Sequence, residues 1–83
     1  MKELIKIHSR DNVVIALRNF SQGEAIEVEG TTIELLNDIE RGHKIAIVDI
    51  SEGGDVLKYG YPIGKATADI KTGEHVHVQN VRT

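Results

Sequence analysis

The chain has 83 residues, with 13 acidic against 10 basic side chains and a formal charge of −3. That length makes one small domain, 1–83, with no room for a second core. The charge balance, with no basic stripe interleaved with aromatics, argues against nucleic acid as a main partner, and the absence of cysteine excludes disulfides, thiolate metal sites and a cysteine nucleophile.

The opening Met1–Lys6 alternates charged and apolar residues and lacks the apolar stretch of a signal peptide. No apolar run approaches the ~18 residues of a membrane span, so no membrane partner and a cytoplasmic location are expected. Phe20, Tyr59 and Tyr61 are the only aromatics. The core must therefore be aliphatic, with Tyr59 expected to lie largely within it.

Residues 3–8 read as a first strand with Ile5 and Ile7 on one face. Ser9–Asn12 is a turn whose side chains bond back to their own backbone. Val13–Leu17 is a short β-branched run, which predicts a buried strand. After a return through Arg18–Gly23, Glu24–Gly30 alternates again, and Thr31–Ile39 reads as a strand running into a turn. Asp38–His43 is a loop, and Lys44–Ile50 is the strongest predicted strand. Ser51–Gly54 is a turn, followed by Asp55–Gly60 and Gly64–Ile70 on either side of Tyr61-Pro62-Ile63, where Pro62 marks an edge or corner. Asp49 and Asp69 stand at strand ends, as turn caps or ligands.

Four segments echo one another: Phe20-Ser-Gln-Gly23, Ile39-Glu-Arg-Gly42, Ile50-Ser-Glu-Gly53 and Ile70-Lys-Thr-Gly73. Each is an apolar residue, two polar residues and a glycine, so one turn type is expected four times. Short strands joined by frequent glycine turns predict an all-β domain with almost no helix.

The chemistry is concentrated in Gly73–Asn80. Read as an alternating strand, it turns Val76 and Val78 to a core and sets His75 and His77 on the other face, roughly 6.5–7 Å apart at Cα. Two such imidazoles can lean onto one ion or one anionic group, or they can be solvated side chains on an exposed face. Two imidazoles alone do not fill a metal's shell. A further chain, a carboxylate or the substrate would have to add ligands.

Arg41-Gly-His43-Lys-Ile-Ala46, then Val56-Leu-Lys58-Tyr59-Gly60-Tyr-Pro62-Ile63-Gly64-Lys-Ala66-Thr67-Ala-Asp69, then Gly73-Glu-His75-Val-His77-Val-Gln-Asn80, in that order, resemble a known family. They are similar to the small N-terminal domain of altronate and galactarate dehydratases, found also as the small subunit of sulfolactate sulfo-lyase and belonging to the SAF group. The resemblance spans about residues 4–81. It implies a β-clip fold and a part in metal-dependent β-elimination on a small hydroxy acid, beside a large catalytic chain or domain. It does not separate sugar-acid dehydration from the sulfo-lyase reaction, and a stand-alone module binding a carbohydrate or organic acid without catalysis is the other class.

In that light His75 and His77 are the candidate catalytic and metal-binding residues. The ion would be divalent, Fe2+ or Mn2+, held in complex with the large chain. His43, Lys58 and Asn80 are candidate substrate-binding residues: Lys58 as a point charge for a carboxylate, Asn80 as a substrate contact or as the residue that orients a histidine. For each, a structural role is the alternative. His8 has no motif around it and is read as structural.

Overall fold

The alternating, β-branched segments form nine short strands, and no helix occurs among the residues that the computed structural model describes, 3–6 and 8–83. They are β1 (Leu4–Ile5), β2 (Val13–Ala16), β3 (Ala25–Val28), β4 (Thr31–Glu34), β5 (Lys44–Ala46), β6 (Asp55–Lys58), β7 (Tyr61–Ala66), β8 (His75–Val76) and β9 (Val81–Arg82). All pair antiparallel. A central sheet in the order β1-β2-β5-β8 is accompanied by the hairpin β3-β4 and by a sheet β6-β7-β9. This is the all-β arrangement of a SAF-like β-clip domain, as the resemblance implies. Ile7 lies outside the described residues.

Side chains alternate across each strand, so the central sheet feeds two clusters rather than one. Val14, Ala16 and Ile45 pack with Phe20, Ile26, Ile33, Leu35 and Ile39. Val13, Ala46 and Val76 pack with Ile50, Val56, Ala66 and Ile70. The single core expected from length is thus divided by the sheet. Small side chains such as Ala16, Ala46 and Ala66 let the layers approach closely.

The four glycine turns are one device used four times. In Ser21–Glu24, Glu40–His43, Ser51–Gly54 and Lys71–Glu74, the last N–H donates to the first carbonyl at 2.8–3.1 Å. The third residue is glycine with φ between +82° and +91°, as a type II turn requires. The turns meet in reciprocal pairs, Phe20 bridging Ile39 and Ile50 bridging Ile70. In the first pair, Asn19 Oδ1 accepts from the Arg41 N–H and Asp38 Oδ1 from the Gln22 N–H, each at 2.8 Å. In the second, Asp49 accepts from Thr72 at 2.8 Å and Asp69 from Glu52 at 2.9 Å. Asp49 and Asp69 are therefore turn caps.

Three expectations about strand length and burial are corrected. The strand from Lys44 stops at Ala46, because the Ile47 N–H turns to the Asn12 carbonyl and the chain leaves the sheet, exposing Val48. The strand from Gly73 narrows to His75–Val76, and Val78 is 81% exposed rather than in a core. Tyr59 is half exposed, not core: with φ +58° it shares the two-residue turn of hairpin β6-β7 with Gly60, a backbone shape that turns its ring outward. Pro62 does lie at an edge, since β9 pairs only with Lys65 and Ala66 further along β7.

Asp11 pins this hairpin. Its carboxylate accepts the Gly60 N–H at 2.7 Å and the His8 N–H at 3.1 Å, and the side chain is buried. Burial pushes its pKa up, but the amides of Gly60, Tyr59 and His8 more than offset this and hold it below the ordinary value. Asp11→Ala is expected to cost about 2–3 kcal/mol by leaving those amides unpaired. A pKa lowered in the folded state gives stability that is present above the unfolded value and lost as pH falls through the folded one. Urea titrations from pH 6 down to pH 2 should therefore show a decline in the parent that is smaller in the variant.

Candidate functional site: a cluster of three histidines

The register of β5 and β8 pairs Lys44 with Val76 and Ile45 with His75. Continued by one residue, it sets His43 opposite His77. The turn ending at His43 and the turn ending at Glu74 thus deliver histidines to adjacent chains at one sheet edge. Val76, between two of them, enters the core on the opposite face.

The three imidazoles form a stack. Ring centroids of His43 and His77 are 4.0 Å apart, those of His43 and His75 5.1 Å, and those of His75 and His77 5.6 Å, with interplanar angles of 9–20°. His43 Nδ1 lies 2.8 Å from His75 Nε2, so one of these nitrogens carries the shared proton. The Gln79 side-chain amide nitrogen lies 3.2 Å from His75 Nδ1 and 3.3 Å from the His75 carbonyl. An amide N–H2 donates to both, which makes His75 Nδ1 an acceptor. His75 then donates from Nε2 to His43 Nδ1, and His43 keeps its own proton on Nε2, facing the Glu40 carboxylate at 3.7 Å.

Backbone supports hold the stack. The His75 N–H donates to Asn37 Oδ1 at 2.9 Å. Asn80 is buried, accepting the His77 N–H at 3.0 Å and donating to the His75 carbonyl at 2.8 Å. It closes the turn that ends the strand after Val76 and fixes both histidine backbones at once. Burial, reinforced by the charges of His43 and His77, pushes the His75 pKa below the ordinary imidazole value. His77 is lowered by desolvation and then by His43 and Lys44.

Residues 2–83 match the family model described as the altronate/galactarate dehydratase SAF domain. The chain belongs to that family. This SAF chain is 52% identical to an altronate dehydratase of Bacillus subtilis (strain 168) over 83 residues, all of this chain and 17% of that protein. It is 49% identical over 81 residues, 98% of this chain, to an altronate dehydratase of Escherichia coli (strain K12), covering 16% of it. It is 48% identical over 50 residues, 60% of this chain, to the (2R)-sulfolactate sulfo-lyase subunit alpha of Chromohalobacter salexigens, covering 53% of that subunit. The SAF chain therefore spans about a sixth of the length of these two dehydratases.

The histidine cluster of this SAF domain suits a metal ion in donor type and spacing. One nitrogen from each of His43, His75 and His77 lies within 4.8 Å of the others. A ligating imidazole holds its ion in the plane of its own ring, so these near-parallel rings would have to turn out of the stack for their nitrogens to converge on one ion. The ion would displace the proton shared by His43 and His75. Bound at Nε2, His75 would carry its proton on Nδ1, and the Gln79 amide would turn its oxygen to accept it.

The sequence paired His75 with His77 and placed His43 apart as a substrate contact; the fold brings all three together. Lys58, at the end of β6, is half-buried, with Nζ 4.9 Å from the Tyr59 ring centroid. Its charge reaches Lys44, whose pKa is lowered by burial and then by Lys58. Lys44 follows His43 directly in the Gly-His-Lys motif. His8 sits away from the cluster: its Nδ1 accepts the Arg10 N–H at 3.1 Å, a local structural bond.

Proposed function

We propose that this SAF domain serves a hydroxy-acid lyase, a sugar-acid dehydratase of the altronate type, beside a larger catalytic chain or domain. The convergence of His43, His75 and His77 in a member of the altronate/galactarate dehydratase SAF family carries this reading. Removing water β to a carboxylate needs a base for the Cα proton, stabilisation of the enediolate charge and an acid for the departing hydroxyl. A divalent ion, Fe2+ or Mn2+, held by the three histidines with ligands from the larger chain or the substrate, supplies Lewis-acid stabilisation of that charge when bound. His75 and His77, with their lowered pKa values, are neutral at pH 7 and so competent as ligands or bases. Lys58 adds positive charge for a substrate carboxylate. Asn80 acts through the histidine backbones it holds.

The SAF chain alone offers too few groups for a base, an acid, a full metal shell and a carboxylate clamp. Turnover of altronate is therefore expected only when the chain is combined with a large dehydratase chain lacking its own SAF part, in the presence of Fe2+ or Mn2+. Loss of altronate and gain of the 2-keto product, followed by NMR, check this. Turnover of (2R)-sulfolactate instead would favour the sulfo-lyase reading. Binding of sugar acids without turnover of either would make the chain a binding module.

A further inference from the structure

We propose that the trough between β7 and the β8-β9 turn is the face on which the larger catalytic chain docks, and that it takes an apolar surface with an acidic rim. The inference rests on the reading above and names where the partner of that reading sits.

Two adjoining grooves make the trough. One, of about 460 Å³, runs from Asp55 and Pro62 to Arg82. The other, of about 160 Å³, runs on past Val78 to His77. Ile63 and Thr83 line both, so the two are continuous. The floor is apolar, because Ile63 and Val81 also pack against the second core cluster. Strand pairing leaves this face open. Among the described residues β9 reaches only Lys65 and Ala66 of β7, so Tyr61–Gly64 has a strand on one side alone. At the other end the turn held by Asn80 lifts Val78 out of the sheet. The two most exposed large apolar side chains among the described residues fall at these ends: Val78, 81% exposed, next to His77, and Tyr61, 73% exposed, next to Pro62. One exposed apolar residue is ordinary on a surface, but two that flank an apolar trough mark a contact face.

Charge says what kind of surface fits. Lys44, Lys65 and Arg82 line the trough, and Asp55 is the one carboxylate there, already paired with Lys65 at 2.8 Å. The acidic residues lie on the other layer, where hairpin β3-β4 carries Glu27, Glu29 and Glu34 and no lysine or arginine. A second copy docked face to face here would set like charges against each other, whereas a rim of carboxylates complements this one. Position says which partner. His77 ends the trough and belongs to the cluster for which the reading above asks further ligands. In the two dehydratases above, the matched part is about a sixth of the protein, so the remainder is large enough to cover the whole face and reach the histidines along it.

The test combines the isotope-labelled SAF chain with an unlabelled large dehydratase chain lacking its own SAF part. Calorimetry gives the affinity, and NMR cross-saturation gives the contact face. Ile63, Val78 and Tyr61 are expected to be saturated, and hairpin β3-β4 is not. Val78→Glu and Tyr61→Glu should each weaken the complex at least about tenfold, as loss of an apolar anchor does. Arg82→Glu should weaken it at least about threefold and reduce its dependence on salt. Glu27→Lys, on the opposite layer, should leave it unchanged. All four side chains are exposed, and the amide spectrum of each variant checks the fold.

The docking face is overturned if no complex forms, if the complex is insensitive to Val78, Tyr61 and Arg82, or if cross-saturation centres on hairpin β3-β4. It is also overturned if sedimentation shows the chain alone as a dimer that Val78→Glu breaks, since a second copy would then occupy the face. Altronate turnover in a complex that ignores these substitutions would sink the face and leave the dehydratase reading standing. A complex that depends on Val78 and Tyr61 but turns over no altronate would do the reverse.

Discussion

Gly73→Ala is expected to destabilise the chain by about 3–5 kcal/mol, because its added methyl would make the closest clash at any glycine of this fold. Gly73 has φ +91°, where an L side chain costs about 1–2 kcal/mol. The greater part is steric. A Cβ there would lie 2.2 Å from the Glu34 carbonyl oxygen. Neither side can yield, because the Gly73 N–H donates to Ala46 at 2.8 Å and its carbonyl accepts from Leu36 at 2.9 Å. Gly73 thus locks the end of hairpin β3-β4 to the turn that delivers His75.

Gly23→Ala is the internal comparison. Gly23 has the same φ of +91° in the same kind of turn, but a Cβ there meets nothing within 4 Å. It should cost only the backbone share, about 1–2 kcal/mol. Urea denaturation of the two variants separates the terms. Equal midpoints would mean that hairpin β3-β4 does not approach Gly73 closely. Since a small domain holds only some 5–15 kcal/mol in total, Gly73→Ala should melt well below the parent.

Much of this architecture was legible in the sequence, for a physical reason. A type II turn needs glycine at its third position, and a chain of short strands must repeat its turn, so the four Gly-containing echoes stated both their shape and their number. The caps at Asp49 and Asp69 followed from the same chemistry. Strand ends were less readable. Ile45-Ala-Ile-Val48 is a continuous apolar run, and nothing in it signals that the Ile47 N–H will leave the sheet for Asn12. Val78 failed for a similar reason: alternation placed it in a core, but Asn80 closes a turn beneath it whose two bonds outweigh one exposed valine.

The site was half legible. The spacing of His75 and His77 is local, and a strand period suffices to put them on one face. His43 joins them only through the pairing of β5 with β8, a contact across 32 positions that the sequence does not state. A hint was there: Ile39–Ile45 and Ile70–Val76 carry the same turn followed by a histidine. Strands that leave identical turns in one compact sheet have good reason to be neighbours.

On the proposed reading, His43→Ala, His75→Ala and His77→Ala should each weaken Mn2+ binding at least about a hundredfold in the complex with the large chain, more than the 10–100-fold typical of removing an outer-shell partner. The isolated chain should bind Mn2+ weakly, with the same three dependences. Folding should survive, because all three imidazoles are partly exposed. Asn80→Ala should behave in the opposite way. It removes a buried amide that holds His75 and His77, so it should lose about 2 kcal/mol of stability before metal binding is measured at all.

The pH dependence adds an independent check. The His75 pKa is lowered by burial and then by His43 and His77, so between its folded value and about 6.5 the unfolded chain binds more protons than the folded one. Stability is therefore highest above about pH 6.5 and falls as pH drops toward the folded value. His75→Ala should flatten that part of the profile. Mn2+ binding to the folded chain should fade only as pH falls through that folded value, since protonated imidazole is no ligand. If all three histidine variants keep parental Mn2+ affinity at pH 7.5, the stack is a structural feature of the sheet edge and the metal assignment falls.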